Sequence, residues 1–310
     1  MTPQMTEPEN ASRPADAVTG GWVDRYAPEF TKPYLRLMRA DRPIGWWLLL
    51  WPCWWSLALA GAGLDHWYLY GLFLVGAVVM RGAGCVYNDI VDRDFDGRVE
   101  RTRGRPIPSG AVTVRQAIIF MAALGLVGLL VLLALKPFAI ILGLASLGLI
   151  AIYPFMKRFT YWPQIFLGLA FNWGALMGWA AVHGSLSPAA SALYLGGIAW
   201  TLGYDTIYAH QDKEDDIMIG VKSTALRLGN ATKIWLAGFY AVAFLLFLLA
   251  GWLANAGILF YLVMVLAAAH LIYQVVALDI SSPANCLALF RANKGFGWIV
   301  FAGAALARFF

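Results

Sequence analysis

The chain has 310 residues, 60% of them hydrophobic and only 13% charged, against roughly 25% charged in an ordinary soluble domain. A net charge of +5 and a mean hydropathy of +0.65, with the apolar residues in long runs, exclude a soluble globular domain and place most of the chain in a lipid bilayer. The basic residues sit in short loops between those runs, so they set membrane orientation and form no nucleic-acid patch.

Residues 1–30 open with MTPQMTEPENASRPADAVTG. This stretch is polar, lacks the apolar core of a signal peptide, and carries Glu7, Glu9 and Asp16, unlike a transit peptide. A disordered tail is expected there, with the membrane domain over residues 31–310. Nine apolar segments follow, at 43–61, 67–90, 114–135, 138–155, 163–182, 189–209, 234–253, 257–277 and 294–309. Most are near the ~20 residues that cross the hydrocarbon core; the last is short. The expected fold is all-α, with about nine transmembrane helices. Trp46, Trp47, Trp51, Trp54 and Trp55 crowd the first segment, as interfacial anchors or as a face for an apolar ligand.

With the N-terminus inside, all but three of the 23 basic residues fall in cytoplasmic segments; the exceptions are Lys136, Arg308 and the intramembrane Arg81. The positive-inside rule therefore orients the chain, and a multi-pass protein of the cell inner membrane is expected.

Ten of the 18 acidic residues fall in two windows. The first runs from Asn88-Asp89 through Asp92, Asp94 and Asp96 to Glu100; the second runs from Asp205 through Asp212 and Glu214 to Asp215-Asp216. Both windows lie at expected cytoplasmic ends of spans, the second and the sixth. Asn88, Asp92 and Asp96 are spaced i, i+4, i+8, and Arg81 precedes Asn88 by seven, all on one helical face. Asp205, Asp212 and Asp216, at i, i+7, i+11, are expected to share a face as well. Stacked carboxylates near a bilayer repel each other and are costly to desolvate, so such stripes persist with cations. Their hard oxygen ligands suit Mg²⁺, and with no all-protein cage in evidence a substrate phosphate is expected to complete its coordination. Arg39, Arg42, Arg101, Arg103, Arg105, Lys157, Arg158 and Lys222 lie in loops on the same side, where cations neutralise phosphate oxygens. For most of them singly, orientation explains the charge equally well; a buried Arg81 needs a further reason.

Cys53, Cys85 and Cys286 show neither CxxC nor paired spacing and are expected to be buried packing residues. His66, His183, His210 and His270 show no metal-ligand spacing, although His210 lies inside the second window. Gly168, Gly174 and Gly178 suit helix packing. No P-loop or dinucleotide motif is present.

The two acidic motifs, with LMRADRPIG (37–45), MRGAGCVYNDIVDRDFDGRVERTRGRPIPSGAVT (80–113), YPFMKR (153–158) and GYDTIYAHQDKEDDIMIGVKST (203–224), resemble the intramembrane prenyltransferase superfamily. The likeness runs from about residue 35 to the end and is strongest to the branch that prenylates 4-hydroxybenzoate in ubiquinone biosynthesis. The resemblance implies nine transmembrane helices around a central cavity, with an Asp-rich metal site on the cytoplasmic side. It implies that Asn88, Asp92 and Asp96 form one Mg²⁺ ligand set and Asp212 and Asp216 another, with Asp92, Asp96, Asp212, Asp216 and Arg158 catalytic. Arg158 carries over as a diphosphate or acid contact; Arg39, Arg42, Arg81, Lys157, Lys222, Asp205 and Tyr208 are further substrate-binding candidates.

The reaction so implied moves a polyprenyl group from polyprenyl diphosphate to the ring carbon ortho to the hydroxyl of 4-hydroxybenzoate. Tyr87, Tyr153 and Trp173 are candidates to shield an allylic cation, though simple apolar lining explains each. Homogentisate or a naphthoate are alternative acceptors. An ion-coupled transporter is the rival outside enzymes, but its acids are expected along the spans, and these cluster at one mouth.

Overall fold

Prolines and capping residues cut this apolar chain into helices. The computed structural model describes residues 20–97 and 102–308; the expectations placed on residues 1–19, Glu100 and Arg101 lie outside the described residues. Every regular element among the described residues is helical. In chain order they are α1 (Trp22–Tyr26), α2 (Lys32–Leu37), α3 (Ile44–Leu59), α4 (Trp67–Asp96), α5 (Val114–Leu133), α6 (Pro137–Phe159) and α7 (Pro163–Phe171). There follow α8 (Gly174–His183), α9 (Pro188–Ala209), α10 (Lys213–Ile219), α11 (Thr224–Leu228), α12 (Thr232–Leu253), α13 (Ile258–Ala277) and α14 (Pro283–Leu306). Proline opens α6, α7, α9 and α14, where its missing N–H would have no partner in any case. Thr113 and Gln116 close a reciprocal capping box on α5: the Thr113 N–H donates to Gln116 Oε1 at 2.9 Å and the Gln116 N–H to Thr113 Oγ1 at 3.3 Å.

Six helical stretches among the described residues are long and apolar enough to cross a membrane: Leu64–Asp96, Val114–Leu133, Pro137–Phe159, Pro163–His183, Thr224–Leu253 and Ile258–Ala277. Their outer faces expose large apolar side chains such as Ile119, Leu130, Ile141, Leu245, Leu262 and Val276. This pattern is tolerable in lipid and not in water. The other three expected segments are helical but do not meet that standard. Ile44–Leu59 has only 16 residues. Pro188–Ala209 is diluted by glycine, serine and threonine. Pro283–Leu306 has 24 residues, starts well before the expected residue 294, and carries Arg291, Asn293 and Lys294.

The segment 163–182 is not one continuous helix. Asn172 Nδ2 donates to Gly168 O at 2.9 Å and to Thr201 Oγ1 at 2.8 Å. The next turn tightens, with Ala175 N–H bonding Asn172 O at 2.8 Å. A side-chain amide competing for local backbone groups breaks α7 from α8. Within the stretch that the sequence places in the tail, Trp22–Tyr26 is helical and a 3-10 turn, Glu29–Thr31, begins. Trp22 Nε1 donates to Ala40 O at 3.2 Å and Asp24 pairs with Arg36 at 2.7 Å, so order begins earlier than residue 31.

The chain forms two compact units, one from the residues up to Trp46 with Val78–Leu130, the other from Trp47–Ala77 with the residues from Val131 on. In the first, Leu37, Ala83, Val86, Ile107, Val112, Ala117 and Leu124 form the core. In the second, small residues let helices approach closely. A Cβ on Gly178 would lie 2.7 Å from Cys53 O, and one on Gly168 3.2 Å from Ile198 Cγ2. Gly174 likewise abuts Cys53, so all three glycines pack helices as expected. Trp51 and Trp55 are fully buried, which makes them core residues and not interfacial anchors. Trp51 stacks on Trp47 at 4.9 Å and meets Trp298 edge-on at 4.8 Å. The three cysteines are free and buried.

Candidate active site

In the first unit, α4 carries the first acidic motif to its end. The helix is continuous through Asp96, so Asn88, Asp92 and Asp96 do share a face. Asn88 Nδ2 donates to Asp92 Oδ2 at 3.0 Å, as neighbours at i, i+4 should, and Asp92 is 1% exposed. Asp96 turns to an arginine: Arg105 Nη1 donates to its Oδ2 at 2.6 Å. The segment after the motif folds back on it, with Thr102 Oγ1 donating to Asp96 O at 2.9 Å. Two turns deeper, Arg81 Nη1 donates to Cys85 Sγ. The start of α3 comes so close that a Cβ on Gly45 would lie 2.7 Å from Arg81 Nε. Arg42 pairs with Asp41 at 3.2 Å.

Asp89 was not among the expected site residues, because it falls one residue off the Asn88 stripe. The structure makes it the centre of an ionic network. It is 1% exposed, and its Oδ1 accepts from Arg39 Nη2 at 2.8 Å and from Arg105 Nη1 at 3.4 Å. Arg39 holds a left-handed backbone, φ 60°, rare for a residue with a Cβ. Its own Nη1 donates to Arg36 O and Leu37 O at 3.1 and 3.2 Å. The one available signal in the sequence was that Asp89 adjoins Asn88 within the motif; which arginines meet it depends on segments far along the chain.

In the second unit, the second acidic motif does not lie on one helix. α9 ends at Ala209, His210–Asp212 forms a 3-10 turn, and α10 begins at Lys213. A 3-10 turn advances about 120° per residue against about 100° in an α-helix, so the register from Asp205 to Asp212 and Asp216 is shifted by about 60° from that of one helix. The turn is pinned by buried His210, whose Nε2 meets Thr232 Oγ1 at 2.9 Å. The Thr232 hydroxyl donates to Gly229 O at 2.7 Å, so Nε2 is the donor and carries the proton. Burial, helped by Lys213, pushes the His210 pKa down to about 4. The imidazole is neutral and bonded internally through Nε2. The side chains of Asp212 and Asp215 lie outside the described residues. Asp216 is partly buried, and its carbonyl accepts from Val221 N–H at 3.1 Å.

The basic candidates of this unit cluster around the end of α6. Lys222 N–H donates to Lys157 O at 2.8 Å, and Lys222 Nζ donates to Phe159 O at 3.2 Å. Lys222 Nζ also stands 5.4 Å from the Tyr161 ring centre. The Arg158 guanidinium carbon lies 5.4 Å from the Phe155 ring centre. Tyr208 tilts against Phe290 at 4.5 Å, one helical turn from Asp205 on α9.

Among the described residues no group of three or more His, Cys, Asp or Glu side chains is assembled to hold a metal. The donor chemistry nonetheless fits Mg²⁺. The adjacent Asn88 and Asp92 side chains are hard oxygen ligands, and Mg²⁺ commonly takes only one or two carboxylates, with phosphate and water supplying the rest.

Long apolar helices with acidic and basic residues gathered at their ends define a multi-pass membrane protein. The profile of the UbiA prenyltransferase family matches residues 49–301, and the chain belongs to that family. It is 50% identical over 292 residues to the "4-hydroxybenzoate polyprenyltransferase, mitochondrial" of Arabidopsis thaliana, covering 93% of this chain and 72% of the relative. It is 46% identical over 302 residues to the protein of the same name from Homo sapiens, covering 96% and 81%. Its fold is similar to the apo structure of a UbiA homolog from Aeropyrum pernix K1, at TM-score 0.71 and 24% identity, covering 83% of this chain and 96% of that one. It is also similar to a UbiA homolog from Archaeoglobus fulgidus bound to GPP and Mg²⁺, at TM-score 0.68 and 20% identity, covering 88% and 98%.

Proposed function

We propose that this chain transfers a polyprenyl group from polyprenyl diphosphate to 4-hydroxybenzoate, at the ring carbon ortho to the hydroxyl, releasing diphosphate in ubiquinone biosynthesis. The observation that carries the proposal is identity near one half, over nine tenths of the chain, to relatives bearing that activity in their name.

Asn88, Asp92 and Asp96 serve as one ligand set for Mg²⁺, and Asp212 and Asp216 as a second. When bound, Mg²⁺ supplies Lewis-acid stabilisation of charge developing on the departing diphosphate. Arg39, Arg42, Lys157, Arg158 and Lys222 add positive charge for the diphosphate oxygens. Loss of diphosphate leaves an allylic cation, which the electron-rich ring carbon attacks; the ring proton is then lost and aromaticity returns. Arg81 offers a guanidinium for the acceptor carboxylate. Asp205 and Tyr208 are assigned to substrate positioning.

The six apolar helices are complemented by α3, α9 and α14 as further spans, which makes nine. We place the chain in the cell inner membrane, with the acidic motifs on the cytoplasmic side, as the distribution of basic residues directs. The names of the relatives place those proteins in mitochondria. Fractionation and cysteine labelling from either side of the membrane test both the compartment and the sidedness.

The deciding experiment is product analysis. Isolated membranes containing the protein receive Mg²⁺, polyprenyl diphosphates of several lengths, and 4-hydroxybenzoate, homogentisate or a naphthoate. Mass spectrometry is expected to find prenylated 4-hydroxybenzoate. A product from one of the other acceptors alone would reject the assignment.

A further inference from the structure

We infer that Asp89 is a positioning residue, a buried counter-ion that sets where Arg39 and Arg105 present their guanidinium groups to the diphosphate of the donor. The inference rests on the donor-binding reading above.

Asp89 sits about 100° round the helix from Asn88, off the stripe assigned to metal. Both arginines meet the same carboxylate oxygen, Oδ1, while Oδ2 has no hydrogen-bond partner. The two cations come from separate stretches, Arg39 from the turn after α2 and Arg105 from the segment before α5. Two guanidinium groups drawn to one point repel each other. A carboxylate 1% exposed between them makes that placement sustainable, because a charge pair held away from water is screened little. Arg39 is committed to the spot by its left-handed backbone and by the bonds from Nη1 to Arg36 O and Leu37 O.

The local charge balance also argues against a metal on Asp89. The carboxylates of Asp89 and Asp96 balance the guanidinium groups of Arg39 and Arg105, so Asp89 already has its cations within the protein. Guanidinium forks match phosphate oxygens in geometry. Arg105 also reaches Asp96, so the same anchor links the arginine pair to an assigned metal ligand.

The test uses full-length protein in detergent, with Mg²⁺ and inorganic pyrophosphate as the probe. Protection against thermal unfolding reports binding, and steady-state kinetics report KM for donor and acceptor separately. Asp89→Asn is expected to raise the half-saturating pyrophosphate concentration and the donor KM about tenfold or more, since small misplacements of binding groups are expensive. The KM for 4-hydroxybenzoate should stay near wild type. Combined with Arg105→Gln, it should add little beyond Arg105→Gln alone, because coupled residues are not additive.

Wild-type pyrophosphate protection in Asp89→Asn, full additivity with Arg105→Gln, or rescue by raised Mg²⁺ would each overturn the inference. Should Asp89→Asn fail to fold, Asp89→Glu retains the charge but displaces both arginines, and wild-type donor binding there would equally overturn it. Asp92→Asn separates this inference from its basis. If Asp92→Asn loses pyrophosphate protection and Asp89→Asn does not, only the role of Asp89 fails. If neither loses it, the donor-binding reading fails and takes this one with it.

Discussion

Arg105 donates to the carboxylate of Asp96 across 2.6 Å, tying the end of α4 to the segment that precedes α5. Both side chains are largely buried, 15% and 11% exposed. An assigned metal ligand therefore already has a cationic partner before any donor binds.

Arg105→Gln should leave Asp96 without its counter-ion. Breaking a buried pair from one side costs roughly 3–5 kcal/mol, so a clear fall in melting temperature is expected. Added Mg²⁺ should stabilise this variant more than the wild type, because the freed carboxylate gains an alternative cation. Equal Mg²⁺ shifts in the two melts would argue against Asp96 as a ligand.

Asp92→Ala and Asp212→Ala, made separately, should each lower product formation about a hundredfold or more, the scale of losing transition-state charge stabilisation. The check is a radiolabelled-donor assay in membranes at low Mg²⁺. Full turnover in either variant would remove that residue from the metal set.

Asn293 lies at the centre of a buried amide network in the second unit. Its Oδ1 accepts from Trp200 Nε1 at 2.8 Å and from Gln274 Nε2 at 3.2 Å, and its Nδ2 donates to Gln274 Oε1 at 3.1 Å. Tyr240 OH also donates to Gln274 Oε1, at 2.7 Å. Asn293→Leu should strand two donors and cost about 1–3 kcal/mol for each group left unsatisfied. A lower melting temperature with near-normal KM values at low temperature is the expected pattern; an unchanged melt would mean the network contributes no stability.

Gly178→Ala should destabilise, although alanine is the better helix former. The new Cβ would meet the Cys53 carbonyl at 2.7 Å and Ser56 Cβ at 2.9 Å, and overpacking of this kind costs about 1–3 kcal/mol. Gly148 meets nothing within 4 Å, so Gly148→Ala should be neutral or gain up to about 1 kcal/mol. Comparing the two melts checks whether close helix contact or propensity governs glycine here.

The helices themselves were largely legible. Runs of apolar residues are local signals, and they placed most elements within a few residues. Asn88 and Asp92 were legible as neighbours because a continuous helix has one periodicity. The second motif was not, because the turn at His210–Asp212 depends on His210 reaching Thr232, 22 residues on. The break at Asn172 depends in the same way on Thr201, 29 residues on. Asp89 looked like a bystander beside the Asn88 stripe, since nothing local indicates that Arg39 and Arg105 converge on it.

Composition and periodicity alone settled that this chain lies in a bilayer and consists of helices, because hydropathy and backbone hydrogen-bond demand act residue by residue along the sequence. The motif stretches pointed to its family through their resemblance, and the match over residues 49–301 bears that out. Only the folded chain decided which charge meets which. Pairing between Asp89 and residues fifty positions before it and sixteen after it is a matter of chain path, and path is set by packing that no short stretch of sequence contains.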